Sequence, residues 1–453
     1  MRIAIALTLG WMISGSNVMA DRPDVVLLVT DQQRYDELSI LGTTGAHTPA
    51  MDRLCSGGVL FTHAFVPTPQ CSPARASIVT GRFPHRAGVQ GNVSKNRVVP
   101  AGMSAPLDRS IPSLGSLFAA AGYQTAYFGK WHLGGSPEDY SFQTAGVSSG
   151  REISLHVRDF LDRAGQKENR PPLLLVVSWI NPHDIYKINS PGTIVRDEIQ
   201  TRLPDSLGDD LSEKPFPQRH FLTADQGVPF VGYTDQQWQR YVRYYHQLTT
   251  QVDAEIGRVA ETIHAHAPNA ITVFTSDHGD LGGAHRLPYK CPAMYEELIR
   301  VPLAIAWPNQ IKPARTDALV SSIDLLPTLC DLAGIDVPAG VDGASLRPLL
   351  EGRSAEDVGW RDAVFAEYYG KQNWRAPIRM VRTHRWKYTI YTKYGEELYD
   401  LKNDPAEIHN LANDPAVQAE KTKLAARLEG WMNQTGDSFD DLRVTDRKGR
   451  QID

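Results

Sequence analysis

The sequence predicts an α/β fold: a large mixed, mostly parallel sheet sandwiched by helices, followed by a smaller C-terminal α+β domain that contains an antiparallel sheet. Up to about residue 350, short apolar runs alternate with helical patterns, as in sheets whose crossover helices cover both faces. Beyond Gly352, strand patterns follow one another closely, with turn residues between them and one polar helix after them. Because 453 residues exceed what one core usually holds, we expect two domains, at 21–354 and 355–453.

The first strand is predicted over residues 24–30, where a near-continuous apolar run is typical of a strand buried on both faces. Similar patterns predict strands at 61–66, 124–128, 173–179, 271–275 and 301–307, and helices at 113–121, 153–164, 236–266 and 324–332, with a short helix starting at Thr48. Residues 185–233 are rich in Pro, Gly and Asp and predict a long irregular insertion. In the second domain, strands are predicted at 364–369, 379–383 and 386–391, before a helix at 416–431.

The N-terminus has the layout of a secretory signal peptide over residues 1–20. Arg2 precedes an apolar run over residues 3–13, and Val18-Met19-Ala20 provides small residues at the cleavage spacing. The apolar run is too short to span a bilayer comfortably, so we expect no membrane anchor. The sequence therefore predicts export to the periplasm or the extracellular space.

The charge and the cysteine content of the chain limit the functions to be expected. A net charge of −5 and a pI near 6.3 give no support for general binding to nucleic acid or to an anionic membrane. The cysteines are Cys55, Cys71, Cys291 and Cys330, which is sparse for an exported protein and does not indicate a disulfide scaffold. One pair could be bridged, and the sequence leaves open which.

The segment from Cys71 to Ser77 is predicted to begin a helix, with Pro73 in its first turn. The free N–H groups and the positive end of the helix dipole at such a position favour an anion. Cys71 would therefore lie against a bound anion, with Arg75 one turn further along the helix.

Polar residues follow several predicted strands at the point where each strand ends. These residues are Asp31 with Gln32, Lys130 with His132, His183, and Asp277 with His278. Any one of them alone has an ordinary explanation, such as a helix cap or a solvated lysine. Because the carboxyl ends of parallel strands lie along one edge of a sheet, we expect the whole set to converge on a single crevice.

The residue types in this crevice suit a cation and a tetrahedral anion together. Carboxylate oxygens from Asp31 and Asp277, an amide oxygen from Gln32 and a histidine favour Ca²⁺ or Mg²⁺ over zinc. The oxygens of a tetrahedral anion would be held by Arg75 and by the lysines Lys130 and Lys290. Proton transfer near neutral pH is available from His132 and His183.

An ordered set of motifs in this sequence resembles the type I (formylglycine-dependent) sulfatases, within the alkaline-phosphatase-like superfamily. The motifs are Cys71-Ser72-Pro73-Ala74-Arg75 with Thr80-Gly81-Arg82, Gly129-Lys130-Trp131-His132-Leu133-Gly134, Asn181-Pro182-His183, Ser276-Asp277-His278-Gly279, Tyr289-Lys290, and Glu397-Leu398-Tyr399-Asp400-Leu401 with Asp404-Pro405. The resemblance spans roughly residues 24–415. It implies an alkaline-phosphatase-like fold and hydrolysis of sulfate esters.

The resemblance also implies a cofactor chemistry. A formylglycine-generating or sulfatase-maturing enzyme would oxidise Cys71 to formylglycine (3-oxoalanine). The metal ligands would be Asp31, Gln32, Asp277 and His278, with modified Cys71 completing the shell. Many members of the family have Asp where this chain has Gln32, and Asn where it has His278. Both differences keep a ligating atom, and we expect Ca²⁺ first and Mg²⁺ second.

The implied mechanism starts from the hydrated aldehyde at position 71. One hydroxyl, ionised with the help of the metal and Asp31, would attack sulfur, while Lys130, Lys290 and Arg75 offset charge on the sulfate oxygens. The acid for the departing alcohol would be His183. The base that deprotonates the second hydroxyl and so releases sulfate would be His132.

Export, an acidic pI and the long insertion together indicate a sulfated carbohydrate as substrate. The insertion and the C-terminal domain would form the crevice walls, with Trp374, Arg375 and Arg379 as candidate contacts. Three alternatives remain: a phosphate or phosphonate monoester hydrolase on the same scaffold, an inactive carbohydrate-binding homologue, and a cysteine-nucleophile hydrolase. The sequence leaves open the sugar, the hydroxyl position, exo or endo action, and the oligomeric state.

Overall fold

The computed structural model describes residues 22–93, 105–146, 152–166, 169–371, 374–439, 442, 444–445 and 450. The predicted signal peptide, at residues 1–20, lies outside the described residues. Within the described ranges, no helix combines the length and the apolar character needed to cross a membrane.

The bounds of the regular elements agree with most of the predicted ones. The strands are β1 (Val25–Asp31), β2 (Val59–Phe61), β3 (Ala64–Phe65), β4 (Gln124–Gly129), β5 (Thr144–Gly146), β6 (Leu173–Pro182), β7 (Ile271–Ser276), β8 (Leu303–Ala306), β9 (Ala314–Thr316), β10 (Val320–Ser321), β11 (Ala363–Lys371), β12 (Trp374–Thr383), β13 (Trp386–Tyr391) and β14 (Gly395–Asp400). The helices are α1 (Pro49–Ser56), α2 (Cys71–Thr80), α3 (Pro84–Ala87), α4 (Leu114–Ala120), α5 (Glu152–Gly165), α6 (Phe216–Ala224), α7 (Asp235–His266), α8 (Glu296–Ile299), α9 (Leu325–Leu332), α10 (Arg347–Leu350) and α11 (Gln418–Thr435).

The large sheet has the strand order β5-β4-β6-β1-β7-β8-β2-β9. In the middle of this sheet, β1 runs parallel to β6 on one side and to β7 on the other, with Val25 opposite both Leu174 and Ile271. Only β8 runs antiparallel to its neighbours within the described sheet. This mixed, mostly parallel sheet confirms the predicted fold class.

Every residue of β1 is buried, and its side chains alternate between two cores. Val25, Leu27 and Val29 lie in one core, together with apolar residues of α2, α4 and α9. Val26 and Leu28 lie in the other, together with apolar residues of α1, α5 and α7. Helices therefore cover both faces, which explains why the sequence of β1 is continuously apolar. The polar ends of the strands are left at the edge of the sheet.

The C-terminal part of the chain forms an antiparallel sheet with the order β11-β12-β13-β14, covered by α11. The predicted strands and helix are confirmed, but β14 was not predicted as a strand. Its sequence, Gly-Glu-Glu-Leu-Tyr-Asp, looks too acidic for a strand that is mostly buried.

The insertion at 185–233 is less irregular than predicted. It contains α6 and two short 3-10 helices, at Asp205–Gly208 and Val228–Phe230, and a third 3-10 helix, at His183–Lys187, overlaps its start. A proline stands at the start of α6, which suits the first turn of a helix.

Candidate active site

The predicted strand-end residues come together in the structure. Asp31 ends β1, Lys130 follows β4, and Asp277 follows β7. His183 follows β6 directly. Because β4, β6, β1 and β7 are successive parallel neighbours, their carboxyl ends share one edge of the sheet.

Cys71 is the first residue of α2, a helix whose ten residues are all buried. The Cys71 sulfur lies 3.2 Å from Nε2 of His278, 3.1 Å from Nζ of Lys290 and 3.8 Å from Oδ1 of Asp31. Further contacts to this sulfur come from His132 and His183. The helix start predicted from the sequence is thus the point on which the other groups converge.

Arg75 holds the two acidic residues of the site. Its guanidinium donates from Nη2 to Oδ2 of Asp31 (2.9 Å) and from Nε to Oδ2 of Asp277 (2.8 Å). The same guanidinium donates from Nη1 to Oγ of Ser178 (2.7 Å) and to the carbonyl of Lys130 (2.9 Å). These bonds offset the cost of burying a cation and two carboxylates together.

The two carboxyl groups differ in acidity. Burial alone would raise the pKa of Asp31, but the charges of Lys130, His183 and Arg75 hold it well below the usual value. Burial and the neighbouring Asp31 raise the pKa of Asp277 to about 6. This is the pattern of two adjacent carboxylates that share one set of cations.

Lys130 and Lys290 approach Cys71 from two segments that are far apart in the sequence. The Lys130 ammonium pairs with Asp31. The Lys290 ammonium donates to Oε1 of Gln32 (2.8 Å) and lies 3.1 Å from Nε2 of His278. Burial opposes ionisation of the Cys71 thiol, yet these two ammonium groups lower its pKa well below the usual value.

The three histidines stand in different surroundings. Nδ1 of His278 donates to the Gly279 carbonyl at 2.8 Å, which leaves Nε2 as an acceptor facing the site. Nδ1 of His132 is buried and has no hydrogen-bond partner in the described part of the chain. Burial lowers the pKa of His183, outweighing the nearby charge of Asp31.

The site opens to solvent on one side. Lys130, His132 and His183 are half-buried, whereas Asp31, Gln32, Cys71, Arg75, Asp277, His278 and Lys290 are buried. A substrate would therefore meet the first three residues on its way to Cys71.

The donor atoms fit a divalent cation. One ligand atom from each of Asp31, Cys71, Asp277 and His278 lies within 4.8 Å of the others. The amide oxygen of Gln32 joins this group through the Lys290 ammonium that both Gln32 and His278 contact. Two carboxylates, an amide oxygen and an imidazole nitrogen form an oxygen-rich set, as Ca²⁺ and Mg²⁺ prefer.

Several residues of the site were not found from the sequence. Nε2 of Gln32 donates to Asp280 (2.7 Å), which also accepts from the hydroxyl of Tyr241 (3.0 Å). Lys371 reaches the carbonyl of Lys290 (3.3 Å) from the end of β11. The position of Asp280 beside the Ser-Asp-His-Gly motif was a usable signal, whereas Tyr241 lies near the start of α7 and Lys371 on a distant strand.

Two candidate substrate contacts were wrong. Trp374 is 2% exposed and packs in the core that joins the C-terminal sheet to residues 281–301. Arg379 is fully buried and paired with Asp437 through two hydrogen bonds. Both looked exposed because their partners are distant in sequence. Arg375 is half-buried and remains a prediction.

None of the cysteines is bridged; all four are free and buried. Burial raises the pKa of Cys55 and of Cys330 to about 12, and it also raises the pKa of Cys291. Cys71 differs from these three because only its thiol faces a cluster of ammonium groups.

Comparison with known proteins gives consistent matches along the chain. The sulfatase family model matches residues 23–335, and the model described as "N-sulphoglucosamine sulphohydrolase, C-terminal" matches residues 283–434. The Δ4,5-hexuronate-2-O-sulfatase of Bacteroides thetaiotaomicron is 30% identical over 96% of this chain and 94% of its own length.

Solved structures show the same fold. A 2-O GAG sulfatase superposes with a TM-score of 0.83 at 29% identity, covering 95% of this chain and 96% of its own. The phosphonate monoester hydrolase of Agrobacterium radiobacter superposes with a TM-score of 0.70 at 23% identity, over 95% and 99% of the two chains, which indicates a shared fold alone. Since the sulfatase model covers most of the chain and the relative matches nearly all of it, the chain belongs to the sulfatase family of sulfuric ester hydrolases.

Proposed function

We propose that this chain is an exported sulfatase that removes sulfate from a uronic-acid-containing carbohydrate, with formylglycine at position 71 and a bound Ca²⁺, or Mg²⁺ as second choice. One observation carries the proposal. Cys71 stands at a helix start, with the Lys290 ammonium at 3.1 Å and the acceptor nitrogen of His278 at 3.2 Å. A catalytic group at this point would meet the cations and the metal ligands together.

Two groups absent from the unmodified chain would supply the central chemistry. Formylglycine at position 71, made by a formylglycine-generating or sulfatase-maturing enzyme, offers a hydrated aldehyde whose hydroxyl is the nucleophile. The cation, held by Asp31, Gln32, Asp277 and His278, offers Lewis acidity. The formylglycine oxygens would stand where the Cys71 sulfur lies.

The protein's own residues would do the rest of the work. Lys130 and Lys290 bring positive charge to the sulfate oxygens, where negative charge develops during transfer. Arg75 has four of its five N–H donors occupied by Asp31, Asp277, Ser178 and a carbonyl, so its main role is to hold the two carboxylates in place.

Two histidines can transfer protons, each in a different step of the reaction. His183 stands on the open side of the site, where it can donate a proton to the departing alcohol oxygen. His132 has an unpartnered buried nitrogen and contacts the atom at position 71, so it can accept the hydroxyl proton whose removal releases sulfate.

The relatives support this substrate class. The matched relative from Bacteroides thetaiotaomicron is named for hexuronate 2-O-sulfate, and it aligns with nearly the whole of this chain. The half-buried ammonium of Lys130 also suits an anionic sugar.

The test combines a mass measurement with a substrate panel. Enzyme from its native source should yield a Cys71 peptide with the mass of the aldehyde or its hydrate. It should cleave an unsaturated 2-O-sulfated uronate disaccharide and 4-nitrophenyl sulfate at least about 100-fold faster than 4-nitrophenyl phosphate. The Cys71→Ser variant should bind the sulfate ester without sustained turnover, because serine cannot regenerate an aldehyde.

Other outcomes identify the rivals. Preferred phosphate cleavage would indicate a phosphate or phosphonate monoester hydrolase. Unmodified cysteine with full activity that alkylation abolishes would indicate a cysteine nucleophile. Sugar binding without cleavage would indicate an inactive carbohydrate-binding homologue.

A further inference from the structure

The backbone of Gln32 is held in place by contacts that do not involve its side chain. Its φ is 70°, in the left-handed region, and its N–H donates to Oδ1 of Asp277 at 3.0 Å. Its carbonyl accepts from the hydroxyl of Tyr245, and the residue is fully buried. These backbone contacts do not fix the orientation of the amide group at the end of the Gln32 side chain.

Asp280 faces the nitrogen of that amide. Oδ2 of Asp280 accepts from Nε2 of Gln32 at 2.7 Å, and Oδ1 accepts from the N–H of Gly282 at 2.8 Å. Asp280 is fully buried, and no ion pair in the described part of the chain includes it. A buried carboxylate held by neutral donors needs a reason to be retained.

The third neighbour of Asp280 is a donor as well. The hydroxyl oxygen of Tyr241 accepts from the N–H of Tyr289 at 2.9 Å, so its proton points to Asp280 at 3.0 Å. All three neighbours thus donate to Asp280, which leaves both of its oxygens as acceptors. The same tyrosine connects Asp280 to the residue before Lys290.

We propose that Asp280 is a positioning residue that fixes the amide of Gln32 with its oxygen toward the cation site, so that residues 32 and 280 act as a complementary pair. A carboxylate can only accept, so it selects the NH₂ side of the amide and turns Oε1 inward, where Lys290 contacts it at 2.8 Å. The role of Gln32 as a metal ligand rests on the proposed function. The pairing of Gln32 with Asp280 does not depend on that function.

The pair also explains why an amide stands at position 32. A glutamate there would place one of its oxygens against Oδ2 of Asp280, and two buried carboxylates at that distance repel. An asparagine at position 280 would reverse the requirement, because its NH₂ group can donate to a carboxylate at position 32.

The test is a double-mutant cycle with Gln32→Glu, Asp280→Asn and the double variant, using the full chain. The thermal midpoint of the metal-free protein tests the pairing, and calorimetric titration with Ca²⁺ tests its effect on the site. We expect both single variants to lower the midpoint and to weaken Ca²⁺ binding by about 10-fold or more. The double variant should regain most of both losses.

Asp253→Asn is the matched control. Asp253 is also a buried aspartate that accepts from neutral donors, the N–H groups of Ala50 and Met51, but it lies outside the site. This control should lower the midpoint and leave Ca²⁺ affinity unchanged.

Each result decides a separate point. Midpoint losses that simply add in the double variant would overturn the pairing, because independent sites add. Rescue of the midpoint without any change in Ca²⁺ affinity would overturn the role in positioning a ligand. If wild-type protein binds neither Ca²⁺ nor Mg²⁺, the proposed cation site is wrong, and the midpoint cycle still decides the pairing.

Discussion

The ammonium of Lys290 lies 3.1 Å from the sulfur of Cys71, although the two residues are 219 positions apart in the chain. Both side chains are buried, and burial lowers the pKa of Lys290, but the charges of Cys71, Asp31 and Asp277 raise it above the usual value. The two carboxylates remain when Cys71 is converted to formylglycine. The lysine therefore stays charged beside the atom where the chemistry is proposed to occur, in surroundings where a charge acts strongly.

Replacing Lys290 by methionine should lower kcat for 4-nitrophenyl sulfate by about 100-fold or more, because charge stabilisation in a buried site acts mainly on the transition state. The measurement is steady-state kinetics at matched formylglycine content. Lys312→Met, at an exposed position, should leave kcat unchanged. A Lys290→Met enzyme with more than half the wild-type kcat would contradict this role.

Arg75→Ala should destabilise the metal-free protein by about 3–5 kcal/mol, because it leaves Asp31 and Asp277 buried without their shared cation. Saturating Ca²⁺ should recover a large part of this loss if the same carboxylates bind the ion. Urea unfolding in EDTA and in Ca²⁺ measures both values. Arg158→Ala, at an exposed ion pair, should cost less than about 1 kcal/mol in either condition. A loss that Ca²⁺ does not reduce would argue against the two carboxylates as ligands.

The sequence was most informative about the sheet and its polar edge. The apolar run of β1 and the polar residues after four strands predicted where Asp31, Lys130, His183 and Asp277 would meet, because parallel strands end at one edge. Chain direction was harder. The strand over Leu303–Ala306 was predicted, but nothing in four apolar residues reveals that it runs antiparallel to both of its neighbours.

The features that sequence reasoning missed depend on partners far along the chain. Glu397 makes β14 look exposed, yet it is 2% exposed and accepts hydrogen bonds from Gln218, Tyr391 and Tyr399. Arg379 was likewise predicted to be a substrate contact, but in the structure it is paired with Asp437. A buried charge cannot be recognised from its own segment when the groups that stabilise it come from elsewhere.

Lys371 should make stability depend on pH. Burial first, and then the charge of Lys290, lowers its pKa from 10.5 to about 7. Between these values the unfolded chain binds more protons than the folded one, so the free energy of unfolding should rise with pH from about 7 to 10. Relative to Lys371→Met, wild type should gain up to roughly 1.4 kcal/mol per pH unit in this window.

Urea unfolding of both proteins at several pH values measures this difference. Lys312→Met, which removes an exposed lysine, should show a constant offset from wild type over the same range. A constant offset for Lys371→Met as well would contradict the prediction, because it would show that Lys371 has the same pKa in the folded and the unfolded chain.

Gly279 sets the position of His278 by close approach to another segment. Its N–H donates to the carbonyl of Leu298 at 2.8 Å, and its carbonyl accepts from Nδ1 of His278. A Cβ at this position would lie 1.9 Å from the carbonyl oxygen of Glu297, a backbone atom that cannot rotate away. Gly279→Ala should therefore cost at least about 2 kcal/mol and weaken Ca²⁺ binding by moving His278.

Gly430→Ala is the control. That glycine lies in α11, and apart from its chain neighbours and the helix backbone no atom lies within 4 Å of its Cβ position. This substitution should stabilise the protein by about 0.5–1 kcal/mol, measured by urea unfolding, without changing Ca²⁺ affinity. If Gly279→Ala were as stable as wild type and bound Ca²⁺ equally well, close packing of residues 279 and 297 would not hold the ligand in place.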